Sequence, residues 1–143
     1  INSMSSLNKD SAQELRKYNV NAVTDVTGFG LLGHLKEVCE NSNVSSKINF
    51  QDLLFIDGAK ELAMSGVMPG GTKRNLKSVE KVVSFNDHLS EVEQLLSADA
   101  QTSGGLLVSM PLEDARSYVK KVNGQTAIIG QITEKKPYLI KVY

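Results

Sequence analysis

Apolar positions along this chain follow two rhythms, one helical and one alternating. Leu7, Ala12, Leu15 and Tyr18 mark one face of a helix over 4–18, with Ser5 or Ser6 as its N-cap. Residues 20–26 read as a strand with polar interruptions, and the glycine-rich turn at 28–30 opens a helix from Leu31 to Asn41. Ile48 and Phe50 alternate with polar neighbours, a short strand signal. A helix follows from Ile56 to Ser65, closed by Gly66. Residues 67–77, rich in glycine and proline, read as an open loop. Leu89, Val92, Leu95 and Leu96 recur at helical spacing over 88–97, and Leu106 to Met110 is an apolar run suited to a buried strand. Pro111 stands where a helix begins, with Glu113 and Asp114 favourable in its first turn. Thr126 to Ile132 and Tyr138 to Val142 close the chain as two strands that pair with each other.

Strands separated by helices, ending in a strand pair, predict an α/β (α+β) domain: a mixed β-sheet packed with α-helices. No repeat, low-complexity tract or linker divides the chain, so 1–143 reads as a single domain. The first residue is Ile1, and the expectation is a piece of a longer protein. Lys plus Arg and Asp plus Glu both number 16, which argues against nucleic acid as a partner. No apolar run approaches the roughly 18 residues of a membrane span, so no membrane partner is expected. A lone cysteine, Cys39, allows no internal disulfide and suits a reducing, cytoplasmic setting.

Three segments place polar residues and glycines where a plain scaffold does not need them. The first is Thr24-Asp25-Val26-Thr27-Gly28-Phe29-Gly30-Leu31-Leu32-Gly33-His34. A carboxylate at a strand end, beside a glycine turn entering a helix, suits Mg²⁺ and phosphate: hard Mg²⁺ takes one or two carboxylates plus phosphate and water oxygens, and the helix start offers N–H groups to anions. The plain alternative is that Asp25 caps a turn and the glycines only permit tight packing. Gly28, Gly30 and Gly33 also match G-x-G-x-x-G, and Asp52 follows near the place of a ribose-binding acid, so a dinucleotide-binding module is the runner-up. Against it, Thr24, Asp25 and Thr27 bring polar groups and a negative charge where the pyrophosphate must approach.

The second segment runs from Gly66 to Asn75 and contains Gly70-Gly71-Thr72-Lys73-Arg74-Asn75, able to cradle an anion yet lacking P-loop spacing; its alternative is a mobile surface connection. The third, Ala98-Asp99-Ala100-Gln101-Thr102-Ser103-Gly104-Gly105-Leu106-Leu107, leads polar residues and two glycines into a strand. Gln101, Thr102 and Ser103 either line a site or satisfy local backbone, and Ser103 has no evident partners as a nucleophile. His34 and His88 share no metal-ligand spacing; His34 reads as a packing or hydrogen-bonding residue, and Cys39 as a buried, inert thiol.

Taken in series, the three segments resemble the C-terminal half of the selenophosphate synthetase (selenide, water dikinase) family. Thr24 to His34 is similar to its T-D-V-T-G-F-G-L-L-G-H, Asp57-Gly58-Ala59 to Asn75 to its G-A … G-G-T-x-R-N, and Gln101 to Leu107 to its Q-T-S-G-G-L-L. Ala100 departs from the family's proline, which loosens a turn. The resemblance implies an AIR synthase C-terminal domain-like fold and, for the whole enzyme, conversion of selenide, ATP and water into selenophosphate, AMP and phosphate. It implies Mg²⁺ as cofactor with Asp25 as one ligand, and Thr27, Gly28, Gly30, Thr102, Ser103, Gly104 and Gly105 near the phosphate cleft. The family's reactive Cys or selenocysteine and its essential lysine belong to an N-terminal ATP-binding domain not present in this sequence, so no catalytic residue is assigned here. The implied partners are ATP, selenide, that missing domain and, for the full enzyme, a second copy in a homodimer. The isolated domain is expected to be inactive. Another ATP-using enzyme of the aminoimidazole ribonucleotide synthetase superfamily and a non-catalytic regulatory domain are the remaining alternatives.

Overall fold

The computed structural model describes residues 8–122 and 126–143. Its helices are α1 (Lys9–Leu15), α2 (Gly30–Asn41), α3 (Ala59–Met64), α4 (Gly70–Val79), α5 (Glu91–Ser97) and α6 (Leu112–Lys121). Its strands are β1 (Ala22–Asp25), β2 (Ser45–Ile48), β3 (Val83–Phe85), β4 (Leu106–Ser109), β5 (Gly130–Thr133) and β6 (Ile140–Val142). Local chemistry explains several boundaries. Ser90 and Glu93 form a reciprocal capping box at the start of α5. Pro111 precedes α6, whose first turn carries Glu113 and Asp114 and whose last carries Lys120 and Lys121, matching the helix dipole at both ends.

The strands form two separate sheets. A four-stranded sheet has the order β3-β6-β2-β5. Within it β6 runs parallel to both β3 and β2, while β5 runs antiparallel to β2, so the sheet is mixed as expected. A second sheet is only a ribbon: β1 and β4 pair antiparallel, from Ala22 opposite Ser109 to Asp25 opposite Leu106. The core gathers on the larger sheet. Ile48, Ile140 and Val142 of its central strands pack with Leu32, Leu35 and Cys39 of α2, Val79 of α4, Leu96 of α5 and Phe50. Neither strand of the ribbon supplies a fully buried residue to that cluster; Leu107 only packs against its edge.

Several sequence expectations are corrected by this arrangement. Residues 70–77, read as open loop, belong to α4: Pro69 takes the N-cap position at φ −60°, where it gives up no helical hydrogen bond, and buried Thr72 and Val79 anchor the helix despite its two leading glycines. The C-terminal strands do not pair with each other, because both flank β2 and lie on its opposite sides. The run at Leu106 is half-exposed rather than buried, since a two-stranded ribbon has too few neighbours to cover both faces. Phe50 leaves the strand for a 3₁₀ turn (Phe50–Asp52), and β3 had no expectation attached to it. Helix edges also contract, to Ala59–Met64 and Glu91–Ser97, and the first helix is described from Lys9, so Leu7 and the proposed caps Ser5 and Ser6 lie outside the described residues.

The dinucleotide-binding alternative fails on topology. That unit needs the strands before and after the glycine-rich helix to lie side by side in one parallel sheet. Here β1 and β2 belong to different sheets, and β1 is antiparallel to its neighbour. Asp52, offered as the ribose acid, instead accepts a hydrogen bond from Asn49 Nδ2 at 2.8 Å across its own 3₁₀ turn.

Candidate functional site

Strand alternation sets the position of Asp25. Along β1, Val23 and Asp25 share the exposed face while Ala22 and Thr24 point the other way. The exposed face looks into an open cleft of about 720 Å³ between the ribbon and α1, lined among others by Arg16, Tyr18, Val23, Asp25 and Leu106. The Asp25 carboxylate makes no hydrogen bond or ion pair among the described residues, which leaves its oxygens available to a ligand. No group of three or more His, Cys, Asp or Glu side chains converges among the described residues. Among the described residues Asp25 therefore belongs to no closed cation cage, and its carboxylate fits Mg²⁺ as one hard ligand among phosphate and water oxygens.

Beyond Asp25 the chain turns sharply into α2. Thr27 O accepts from Gly30 N at 2.9 Å, and Gly30 takes φ +68°. A Cβ on Gly30 would stand 2.6 Å from the Asp99 carbonyl oxygen and 2.7 Å from that of Ala98, so glycine is required both for the left-handed conformation and for the approach of the third segment. That segment lies alongside the turn: Gln101 N donates to Thr27 O at 3.1 Å, Gly104 N to Val26 O at 3.1 Å, and Val26 N to Gly105 O at 3.0 Å. These bonds prolong the β1–β4 pairing past the end of the ribbon. Gly104 is required by close contact as well, since a Cβ there would overlap the Val26 carbonyl oxygen.

The second segment completes the cluster from the α4 side. Buried Thr72 donates its hydroxyl to Asp99 Oδ1, and Asn75 Nδ2 donates to Gly28 O at 2.8 Å and to Ala98 O at 3.2 Å. All three segments singled out in the sequence thus meet at one end of the ribbon. They divide into two kinds of residue. Thr72, Asn75, Asp99, Gly30 and Gly104 are spent on holding the segments together. Asp25, Gly28, Phe29, Thr102, Ser103 and Gly105 stay exposed around the junction. Thr27 and Gly104 are half-buried and Gly30 is buried; none of the turn or loop residues lines the 720 Å³ cleft, which Asp25 alone touches among the candidates.

Sequence reasoning missed Asn75, Asp99 and Thr72 as the fasteners of this junction. The signal was present: Thr72 and Asn75 are three residues apart and share a face once 70–79 is recognised as a helix. His34 behaves as expected, buried, with Nε2 3.1 Å from Thr27 Oγ1 and Nδ1 3.5 Å from Glu37. His88 is exposed on the approach to α5, away from the junction. Cys39 is fully buried, and burial pushes its thiol above the usual value, keeping it protonated and unreactive.

Comparison with known proteins bears on the fold and the family. The family profile described as "AIR synthase related protein, C-terminal domain" matches residues 4–142. The chain is 41% identical to the selenide, water dikinase of Aliarcobacter butzleri, over 90% of this chain and 38% of that protein. It is 41% identical to the selenide, water dikinase of Clostridioides difficile, over 99% of this chain and 42% of that protein. The Caldanaerobacter subterraneus selenide, water dikinase is 39% identical over 97% of this chain and 41% of its own length. The chain thus spans about two fifths of the length of these curated relatives. Among solved structures, thiamine monophosphate kinase from Aquifex aeolicus superposes with a TM-score of 0.50 at 18% identity, covering 93% of this chain and 34% of that one, a likeness of fold alone. With the profile matched across nearly its whole length, on a mixed sheet packed by helices, this chain belongs to the AIR synthase-related C-terminal domain family.

Proposed function

We propose that this chain is the C-terminal domain of a selenophosphate synthetase, and that Asp25 supplies one of the Mg²⁺ ligands at its ATP site. The observation that carries the metal role is the Asp25 carboxylate, exposed at the end of β1 with no partner among the described residues, beside the Thr27–Gly30 turn. The choice among ATP-using enzymes rests on the identity of about two fifths to selenide, water dikinases along nearly the whole chain. In this reading the domain works with an N-terminal ATP-binding domain, which supplies the reactive Cys or selenocysteine, the lysine and further carboxylates. The full enzyme is a cytoplasmic homodimer, and this domain alone has no activity. No helix among the described residues is long and apolar enough to cross a membrane.

Asp25 would contribute a negative oxygen to the cleft it lines, on a backbone paired with Leu106 of β4. Bound with ATP, Mg²⁺ neutralises phosphate charge and keeps the reacting oxygens in line during phosphoryl transfer. The positive dipole end of α2 lies at the Thr27–Gly30 turn, an environment favourable to phosphate oxygens. Thr102 and Ser103, exposed on the loop bound to that turn, add hydroxyl groups along the phosphate side.

The full-length protein tests this directly. Selenide-dependent ATP consumption is followed together with selenophosphate by phosphorus NMR, in wild type and Asp25→Asn. We expect selenophosphate from the wild type and a loss of about a hundredfold or more in the variant, on the scale of disrupting a metal site, with an unchanged melting temperature. Undiminished turnover by Asp25→Asn would sink the metal role. ATP consumption that ignores selenide would assign the chain to another enzyme of the superfamily.

A further inference from the structure

We infer that Asn75 is a positioning residue: through one amide nitrogen it ties the Thr27–Gly30 turn to the Ala98–Gly105 loop and so fixes where Asp25 stands. Its Nδ2 carries two hydrogens and meets two acceptors, Gly28 O at 2.8 Å and Ala98 O at 3.2 Å. Both donors are therefore used, one on each segment. Neither an alanine nor an aspartate can make this connection, since alanine has no donor and a carboxylate would face two carbonyl oxygens with a negative charge. The base of the tie is rigid. Thr72, one helical turn before Asn75, is fully buried and bonded to Asp99, so α4 is fastened to the loop at a second point. Gln101 Nε2 also reaches Asp99 Oδ2 at 3.3 Å, holding the carboxylate that receives Thr72.

The tie matters because no other side chain holds the Gly28 tip of the turn among the described residues. Gly28 and Phe29 are exposed, Phe29 to 62%, and nothing lies within 4 Å of where a Gly28 Cβ would be. The exposed tip of the turn is thus secured by backbone bonds from the loop and by Asn75 from α4, while its two ends are held by buried Val26 and Gly30 and by the Thr27–His34 contact. Releasing Asn75 frees Gly28, two peptide bonds from Val26 and three residues after Asp25. Asn75 touches no substrate in this scheme; it acts through the turn.

The consequence for metal binding rests on the proposed role of Asp25, and the test separates the two. Mn²⁺ as a probe for Mg²⁺ is titrated by electron paramagnetic resonance into the full-length protein with ATP. Hydrogen exchange is measured over 27–30 and 98–105 in the same samples. For Asn75→Ala and the isosteric Asn75→Asp we expect the Mn²⁺ half-saturation concentration to rise about tenfold, the lower end for a residue supporting a metal ligand, and exchange at 27–30 to quicken. Ser90→Ala, a destabilising cap loss remote from the junction, should move neither. In an Asp25→Asn background, Asn75→Ala should add no further loss of Mn²⁺ affinity, because it acts through Asp25; full additivity would overturn the positioning role. So would an Mn²⁺ affinity within twofold of wild type in both Asn75 variants while Asp25→Asn weakens it. If Asp25→Asn itself leaves Mn²⁺ binding unchanged, the metal reading falls, and exchange at 27–30 decides the tie: quickened exchange upholds it and unchanged exchange overturns it.

Discussion

The two sheets of this domain are built for different purposes. The four-stranded sheet is bound to the core: Ile140 and Val142 are fully buried, and Ile48 and Val83 nearly so. The β1–β4 ribbon has half-exposed residues along all of β4 and an exposed valine, Val23, on the same face as Asp25. Hydrophobic burial therefore concentrates in one sheet and the candidate chemistry at the end of the other. A ligand site must stay open to solvent and admit charged groups, which a packed sheet cannot offer at low cost. The end of the ribbon that carries the candidate chemistry is held by hydrogen bonds from the 98–105 loop and from Asn75 of α4.

The strongest way to test this division is to damage the large sheet. Ile140 sits in the central strand β6, between β3 and β2, with no exposed surface. Ile140→Ala removes most of a buried side chain and leaves a cavity, for an expected cost of about 3–4 kcal/mol. The loss should appear as weaker hydrogen-exchange protection across β2, β3 and β6 together, because these strands share one core. If protection fell mainly in the ribbon instead, the division between the sheets would be wrong.

Gly30 lies at the seam between the two regions, at the first residue of a core helix and against the loop of the site. An alanine there must adopt φ +68°, which costs about 1–2 kcal/mol, and must also push away the backbone carbonyls of Ala98 and Asp99. We expect Gly30→Ala to cost about 2–3 kcal/mol in all. Its signature should be local: exchange quickens at 27–30 and 98–105, while amides of β6 remain protected. A uniform loss throughout the molecule would show that the seam is part of the core.

These differences also explain how much could be read from the sequence. The α/β class, the mixed sheet and the helices at 30–41, 59–64, 91–97 and 112–121 follow from periodicity, caps and Pro111, which are local signals. The strands proved harder. The central strand β2 begins with Ser45 and Ser46, both buried, so its burial does not appear as hydrophobicity; Ser45 is satisfied by donating to Tyr138 O at 2.7 Å and accepting from Lys136 N at 2.9 Å. Without β2 visible as the middle strand, β5 and β6 looked like a pair. Helix α4 was hidden behind Pro69, Gly70 and Gly71, residues that punctuate a sequence but also open helices. At the candidate site, residue types were legible and partners were not. Asp25 and the glycines could be picked out by chemistry, whereas the joining of Asn75 to Gly28 and Ala98 spans 47 and 23 residues and exists only once the chain is folded.

The smallest expected effect concerns the α5 cap, on the core side of the molecule and away from the junction. Ser90 N and Oγ both donate to Glu93 Oε2 at 2.8 Å, and Ser90 Oγ accepts from Glu93 N at 3.3 Å. The bond from the Ser90 backbone N–H, followed by that from its hydroxyl, holds the Glu93 carboxyl below the usual glutamate value. Because the folded-state pKa is lowered, this contribution is complete above the unfolded-state value of about 4.3 and disappears as pH falls through the lower folded-state value. Ser90→Ala should cost about 1 kcal/mol near neutral pH. Measured by denaturant titration at a series of pH values, the gap between wild type and variant should narrow below the glutamate range, as protonation takes away the charge that strengthens the Ser90 hydroxyl's bond. It should not close, since the Ser90 oxygen still accepts from the Glu93 N–H in the wild type. A gap independent of pH would mean that the Ser90 side chain works through that backbone bond alone, its hydroxyl gaining nothing from the Glu93 carboxylate.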